Sequence, residues 1–177
     1  MIGHLIAERY RMEERIGSGA MGAVYRARHL KIARAFAIKL LHGDLITDDK
    51  MRRRFVREAE LAGTLRHPNV IGVIDVGETP DRLHYIVMEY AEGPTLDKLM
   101  ARGPVPATRA VAIAKQLCDG LYHAHERGLI HRDFKPENVI GECDRDGVER
   151  PRIVDFGIAI VRDTVSSPAR ERLTSAG

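Results

Sequence analysis

Apolar and polar positions divide the sequence into two unlike halves. As far as Glu89, short apolar runs are broken by turn residues, the pattern of strands. Tyr10–Ile16 and Ala23–His29 read as two strands around a glycine-rich turn, and Arg34–Leu41 as a third that ends in a solid apolar run. Asp48 and Asp49 can cap a helix reaching about Arg66, where His67-Pro68-Asn69 stops it. Val70–Val76 and Leu83–Glu89 supply two more strands, joined by a turn over 77–82.

After Ala91-Glu92-Gly93-Pro94 the period changes. Thr95–Arg102 predicts a short helix closed by Gly103-Pro104, and Thr108–Arg127 a long one closed by Gly128. Val111, Ala114, Leu117, Cys118, Leu121 and Ala124 recur at three- and four-residue spacing, which predicts that their face is buried. Short strands at Asn138–Gly141 and Arg152–Val154 follow, around a polar loop over 141–151 read as a surface insertion. The fold class is therefore α+β: a five-stranded antiparallel lobe with one main helix, then a mainly helical lobe. The switch near Glu92–Pro94 would serve as a hinge, with a ligand site between the lobes. The expected division is an N-terminal extension (1–9), a first lobe (10–91) and a second, partial lobe (92–177).

Composition adds little. The 177 residues suffice for one domain or two small lobes, and 44% hydrophobic with 30% charged residues is ordinary for a soluble chain. A net charge of +3 is too weak to argue for nucleic acid. Cys118 and Cys143 show no metal-ligand spacing, and a reduced, cytoplasmic chain fits them best. Neither a signal-peptide pattern nor a membrane-length apolar stretch is expected from the sequence.

Candidate chemistry begins at Gly17-Ser18-Gly19-Ala20-Met21-Gly22, followed by Val24, which fits GxGxxGxV. GxGxxG also marks dinucleotide-binding folds, but there the loop opens a helix. Here Ala23–Ala27 continues as a strand, so the element is a glycine-bearing hairpin suited to covering phosphates with backbone N–H groups. A flexible hairpin without a ligand is the plainer reading. Lys39 ends Ala37-Ile38-Lys39 on the third strand, and a lysine among apolar neighbours needs an anion. Phosphate oxygens and a carboxylate would both serve; Glu58 on the following helix is the choice, with Glu60 on a different face as competitor. A snorkelling strand-end lysine is the alternative.

His131-Arg132-Asp133-Phe134-Lys135-Pro136-Glu137-Asn138 concentrates polar groups between two apolar runs. Asp155-Phe156-Gly157 follows 17 residues after Asn138, directly behind Ile153-Val154. The order glycine hairpin, lysine, polar loop, Asp-Phe-Gly resembles the protein kinases of the Hanks type. Tyr85–Tyr90, His67–Val70 and Asp155–Ala159 point to the bacterial, eukaryotic-like serine/threonine kinases within it.

That resemblance implies an ATP- and Mg²⁺-dependent enzyme, with Mn²⁺ as an alternative ion, acting on Ser/Thr hydroxyls of protein substrates and on itself. Asp133 resembles the base that orients the hydroxyl, and Asn138 and Asp155 the metal ligands. Lys135 resembles the cation that meets the transferred phosphoryl group. Met88 resembles the gatekeeper, and Glu89 to Ala91 the hinge whose backbone pairs with adenine. Ile16, Val24, Ala37 and Ile140 would enclose the base, although each could equally be core. Arg132 is expected to be a buried cation awaiting a phosphorylated residue among Thr164, Ser166, Ser167, Thr174 and Ser175.

His123 and His125 lie two apart on a helix and face different ways, unlike a zinc-binding pair. Lys50, Arg52, Arg53, Arg54 and Arg57 are expected on a solvated helix face. Leu173–Gly177 falls inside what would be the activation segment, so the resemblance implies an incomplete domain. Two readings follow: part of an active serine/threonine kinase, or a nucleotide-binding or regulatory module without turnover.

Overall fold

The computed structural model describes residues 1–43, 46, 48–143 and 146–156. Strands β1 (Leu5–Ile6), β2 (Tyr10–Gly19), β3 (Gly22–His29) and β4 (Ala35–Leu41) come first, then helix α1 (Asp49–Thr64). Strands β5 (Val73–Glu78) and β6 (His84–Glu89) complete an antiparallel sheet of order β1-β2-β3-β4-β6-β5. The five expected strands are all present. A sixth, β1, is added because Ile6 pairs with Tyr10 and is buried against it.

Why β4 is the central strand is visible in its composition. Phe36, Ile38 and Leu40 alternate onto one face and join Tyr10, Met12 and Val87. Ala37 and Leu41 point to the other face, where Phe55, Ile86 and Met88 pack. A strand buried on both sides reads as a solid apolar run, and Lys39 is its one charged member.

Asp48 caps α1: its carboxylate accepts the Met51 backbone N–H at 2.8 Å. Phe55, Ala59 and Ala62 form the buried stripe. Phe55 packs in the sheet cluster, while Ala62 joins Leu65, Val70 and Leu117 in the second lobe, so α1 touches both. The strand expected from Val70 starts only at Val73. Val70 instead bridges Ile153, and Ile71 N–H donates to Ile153 O at 2.9 Å, because this stretch is more deeply buried in the second lobe than at the sheet edge.

The second lobe holds α2 (Leu96–Met100), α3 (Ala107–His125), a 3₁₀ turn (Pro136–Asn138) and the hairpin β7 (Val139–Cys143) and β8 (Glu149–Ile153). Two expectations need correction. The buried face of α3 is Ile113, Leu117, Gly120 and Ala124; Val111, Ala114 and Cys118 are exposed and Leu121 is half-buried. Gly120 decides this: a Cβ there would sit 3.3 Å from Asn69 and Ile153, so the absent side chain lets α3 press onto both. The stretch expected as a loop insertion is also partly strand: β7 runs on to Cys143 and β8 begins at Glu149. Gly141 pairs with Pro151, Glu142 with Arg150 and Cys143 with Glu149, and Arg109 on α3 holds Glu149 at 2.7 and 2.9 Å.

Gly93 meets this hairpin so closely that a Cβ would lie 2.2 Å from Gly141 O. Gly141 N–H donates to Pro94 O at 2.9 Å, which fixes the segment after β6 to the second lobe. No helix among the described residues is long and apolar enough to cross a membrane.

Candidate active site

The glycine hairpin is built as a ladder, not as the entry to a helix. Gly17 pairs with Val24, Ser18 with Ala23 and Gly19 with Gly22, which leaves Ala20 and Met21 at the tip. Gly22 has φ +147°, and a Cβ there would lie 1.9 Å from Leu40 O on the neighbouring strand. No other residue fits that position. His42 holds the tip from behind, with its N–H on Met21 O at 3.2 Å and its ring Nε2 3.3 Å from Gly19 O.

Beneath the hairpin, Val24, Ala37, Met88, Ala91 and Ile140 fall in one apolar cluster together with Met21, Tyr90 and Val154. Sheet register explains the roof: Val24 lies opposite Lys39, and Ala37 opposite Met88. Ile140 comes from β7 in the other lobe, so roof and floor belong to different lobes. Ile16 stands outside the cluster and is 42% exposed.

Lys39 is 6% exposed, too buried to be a snorkelling lysine. Its ammonium lies 2.7 Å from Asp155 Oδ2. Glu58 does not reach Lys39; it lies 3.5 Å from Arg132, and its second oxygen, Oε2, is buried with no hydrogen-bond partner among the described residues. Burial pushes the Glu58 carboxyl above the usual range, more than Arg132, Arg54 and Arg57 pull it down. The expectations of a Lys39–Glu58 pair and of a buried Arg132 are therefore corrected. The anions have exchanged partners, and the Arg132 side chain is 37% exposed. α1 carries Glu58 to the rim of the second lobe, where Arg132 is the nearer cation.

The polar loop folds around His131, which is 2% exposed. Its Nε2 is 2.8 Å from Val154 O, and its ring packs edge-on against Phe134 and Phe156 at 5.7 and 4.8 Å. Burial lowers its pKa, more than the Val154 carbonyl and the charges of Asp155 and Asp133 raise it. A neutral His131 therefore ties the polar loop to the segment carrying Asp155. Arg132 and Asp155 themselves adopt left-handed backbone, φ +63° and +64°, a conformation that costs non-glycine residues free energy and tends to occur at functional sites.

Within the loop, Lys135 Nζ is 2.9 Å from Asp133 Oδ2, and Asn138 Nδ2 donates to Asp133 O at 2.8 Å. With its NH₂ so engaged, the amide oxygen is the part of Asn138 suited to a hard cation. One amide oxygen and one carboxylate, Asp155, match the sparse protein coordination that Mg²⁺ accepts beside phosphates. Gly157 and the five expected Ser/Thr acceptors lie outside the described residues.

The protein kinase domain model matches residues 10–175. The chain belongs to the protein kinase family. It is 42% identical to serine/threonine-protein kinase pkn3 of Myxococcus xanthus over 99% of its own length and 32% of that protein. It is 41% identical to PrkC of Bacillus subtilis, over 90% of its length and 24% of the relative. The crystal structure of the Mycobacterium tuberculosis PknI kinase domain superposes with TM-score 0.77 at 36% identity, covering 90% of this chain and 63% of that one. The chain thus spans about a third or less of these curated relatives. Membership in this kinase family implies ATP and a divalent cation in general terms.

Two partnerships escape a reading of the sequence alone. Asn69, buried, donates to Pro151 O at 2.8 Å and to Gln116 at 3.1 Å, which fixes the turn after α1 to the second lobe. Arg152 on β8 is drawn to Glu89. A cation just ahead of Ile153-Val154 was a usable signal, of the same kind as Lys39 among its apolar neighbours.

Proposed function

We propose that this chain carries the nucleotide-binding and phosphoryl-transfer groups of a serine/threonine protein kinase, with Mg-ATP as donor and a protein Ser/Thr hydroxyl as acceptor. The observation that carries it is the convergence of Lys39, Asp155 and the Asp133–Lys135–Asn138 loop beside a cluster with an apolar roof and floor. The base would lie between Ala37 and Ile140, with the hinge backbone from Glu89 to Ala91 at its edge. The glycine hairpin would cover the phosphates.

Asn138 and Asp155 would hold Mg²⁺, with Mn²⁺ as a substitute. The ion's contribution is neutralisation of charge on the phosphates. Asp133 accepts the hydroxyl proton and aims its oxygen. Lys135, a neighbour of Asp133, supplies a point charge toward the transferred group. Lys39 is already held beside Asp155 and would meet phosphate oxygens.

The exchanged pairs bear on regulation. Lys39 neutralises Asp155 here, and Glu58 retains an unpartnered buried oxygen. Productive binding would release Asp155 to the ion and bring Glu58 to Lys39, freeing Arg132 for a phosphorylated residue. Autophosphorylation at Thr164, Ser166, Ser167, Thr174 or Ser175 fits that scheme, and mass spectrometry after incubation with Mg-ATP would locate it.

Incubation of the full protein with γ-labelled ATP, Mg²⁺ and a generic protein acceptor tests the reading. Label on phosphoserine or phosphothreonine is expected. Nucleotide binding without protein labelling would favour a regulatory module instead.

A further inference from the structure

The Glu89 side chain does more than the hinge backbone requires. It leaves the end of β6 and reaches β8 in the other lobe, where Arg152 Nη2 lies 2.5 Å from its Oε2. The two side chains are 25% and 15% exposed, so this is no ordinary surface pair. Gly72 N–H approaches the same carboxylate oxygen at 3.3 Å, and Arg34 reaches the other at 3.1 Å. Burial alone would raise the Glu89 pKa, but Arg152, the Gly72 amide and Arg34 together hold it below the usual carboxylate range.

Arg152 is equally committed. Its Nη2 also donates to Val70 O at 3.1 Å, its Nη1 is 3.7 Å from Glu142, and its Nε is buried without a hydrogen-bond partner among the described residues. Without Glu89, this half-buried cation would keep the Val70 carbonyl and only a distant carboxylate.

The positions of the two residues give the pair its consequence. Arg152 is the cross-strand partner of Ile140, the residue read above as the floor under the base. Glu89 adjoins Met88, which is the cross-strand partner of Ala37 in the roof. The ion pair therefore joins the strand behind the roof to the hairpin that bears the floor. We infer that Glu89 and Arg152 form a clasp that sets the width of the base-binding gap, making both side chains positioning residues for nucleotide affinity. This rests on the reading of the cleft as the ATP site. The width matters because dispersion is short-ranged: a gap of about 0.5–1 Å forfeits roughly a quarter to a half of each contact's attraction.

Isothermal titration of the full chain with Mg-ATP and Mg-ADP tests the clasp, using Arg152→Met, Glu89→Gln, the double variant and Arg152→Lys. Each single loss is expected to weaken both nucleotides by about five- to tenfold, equally, because the gap holds the base and not the γ-phosphate. The double variant should be no weaker than the worse single one, and Arg152→Lys should stay within about threefold of the parent. Should Arg152→Met not fold, the near-isosteric Glu89→Gln carries the comparison.

Unchanged affinity in folded variants, with only a lowered Tm, would overturn the inference. So would effects that multiply in the double variant, or unchanged affinity with faster turnover, which would make the pair a restraint on closure. A parent that binds no nucleotide would defeat the ATP-site reading together with the clasp. A parent that binds while the variants match it would defeat the clasp alone.

Discussion

Lys39 is a residue whose chemistry could be read before its partner. A lysine among apolar neighbours pointed to an anion, with a snorkelling strand-end lysine as the alternative, and its burial at 6% exposure decides for the anion. Which acceptor was not legible, because it depends on how far α1 carries Glu58 from the sheet. The structure gives Lys39 to Asp155 and Glu58 to Arg132. Lys39→Met should therefore blunt nucleotide binding. If Mg-ATP at 100 times its Kd stabilises the parent by ~2.7 kcal/mol, the variant should show a clearly smaller rise in Tm at the same concentration.

His131 yields a pH prediction. Its folded pKa lies below the ordinary 6.5 because it is buried. The unfolded chain thus binds the proton more readily, and stability present above 6.5 is lost as pH falls toward the folded value. Thermal unfolding followed from pH 7.5 down to about 5 should show a decline that is shallower in His131→Gln.

Among the elements, those with strong local patterns were legible and those made by close approach were not. Asp48 capping α1, the five strands and the glycine hairpin followed from turn residues and periodicity. The buried face of α3 did not, because the decisive position is Gly120, and a glycine has no weight in an apolar pattern. The two short strands expected here are longer than their pattern suggests, because Glu142, Glu149 and Arg150 are polar, yet Arg109 holds Glu149 and Arg152 lies near Glu142.

Gly93 is one such close approach. With a Cβ 2.2 Å from a backbone carbonyl, Gly93→Ala must push the hairpin away from the hinge segment. A loss of about 1–3 kcal/mol is expected in denaturant unfolding. Nucleotide affinity should fall with it, since Ile140 is carried by the same hairpin.

At the scale of the whole molecule, the two lobes are joined by more than a covalent hinge. Asn69, Val70 and Ile71 after α1, the Gly93–Pro94 segment and the Glu89–Arg152 pair all fix the first lobe to the hairpin of the second. The kinase family was legible from the order of its motifs, and the residue types of the site with it. The ion-pair network was not, because it arises between residues far apart in the chain, such as Glu89 and Arg152.

The proposed function has these groups transfer a phosphoryl group, with Asp133 aiming the accepting hydroxyl. The direct measurement compares γ-phosphoryl transfer to a protein acceptor by the full protein and by Asp133→Ala, alongside Mg-ATP binding by both. Transfer should fall by ~10²–10⁴, about 3–5.5 kcal/mol in barrier, with nucleotide affinity largely kept. Equal transfer by the two proteins would contradict the account.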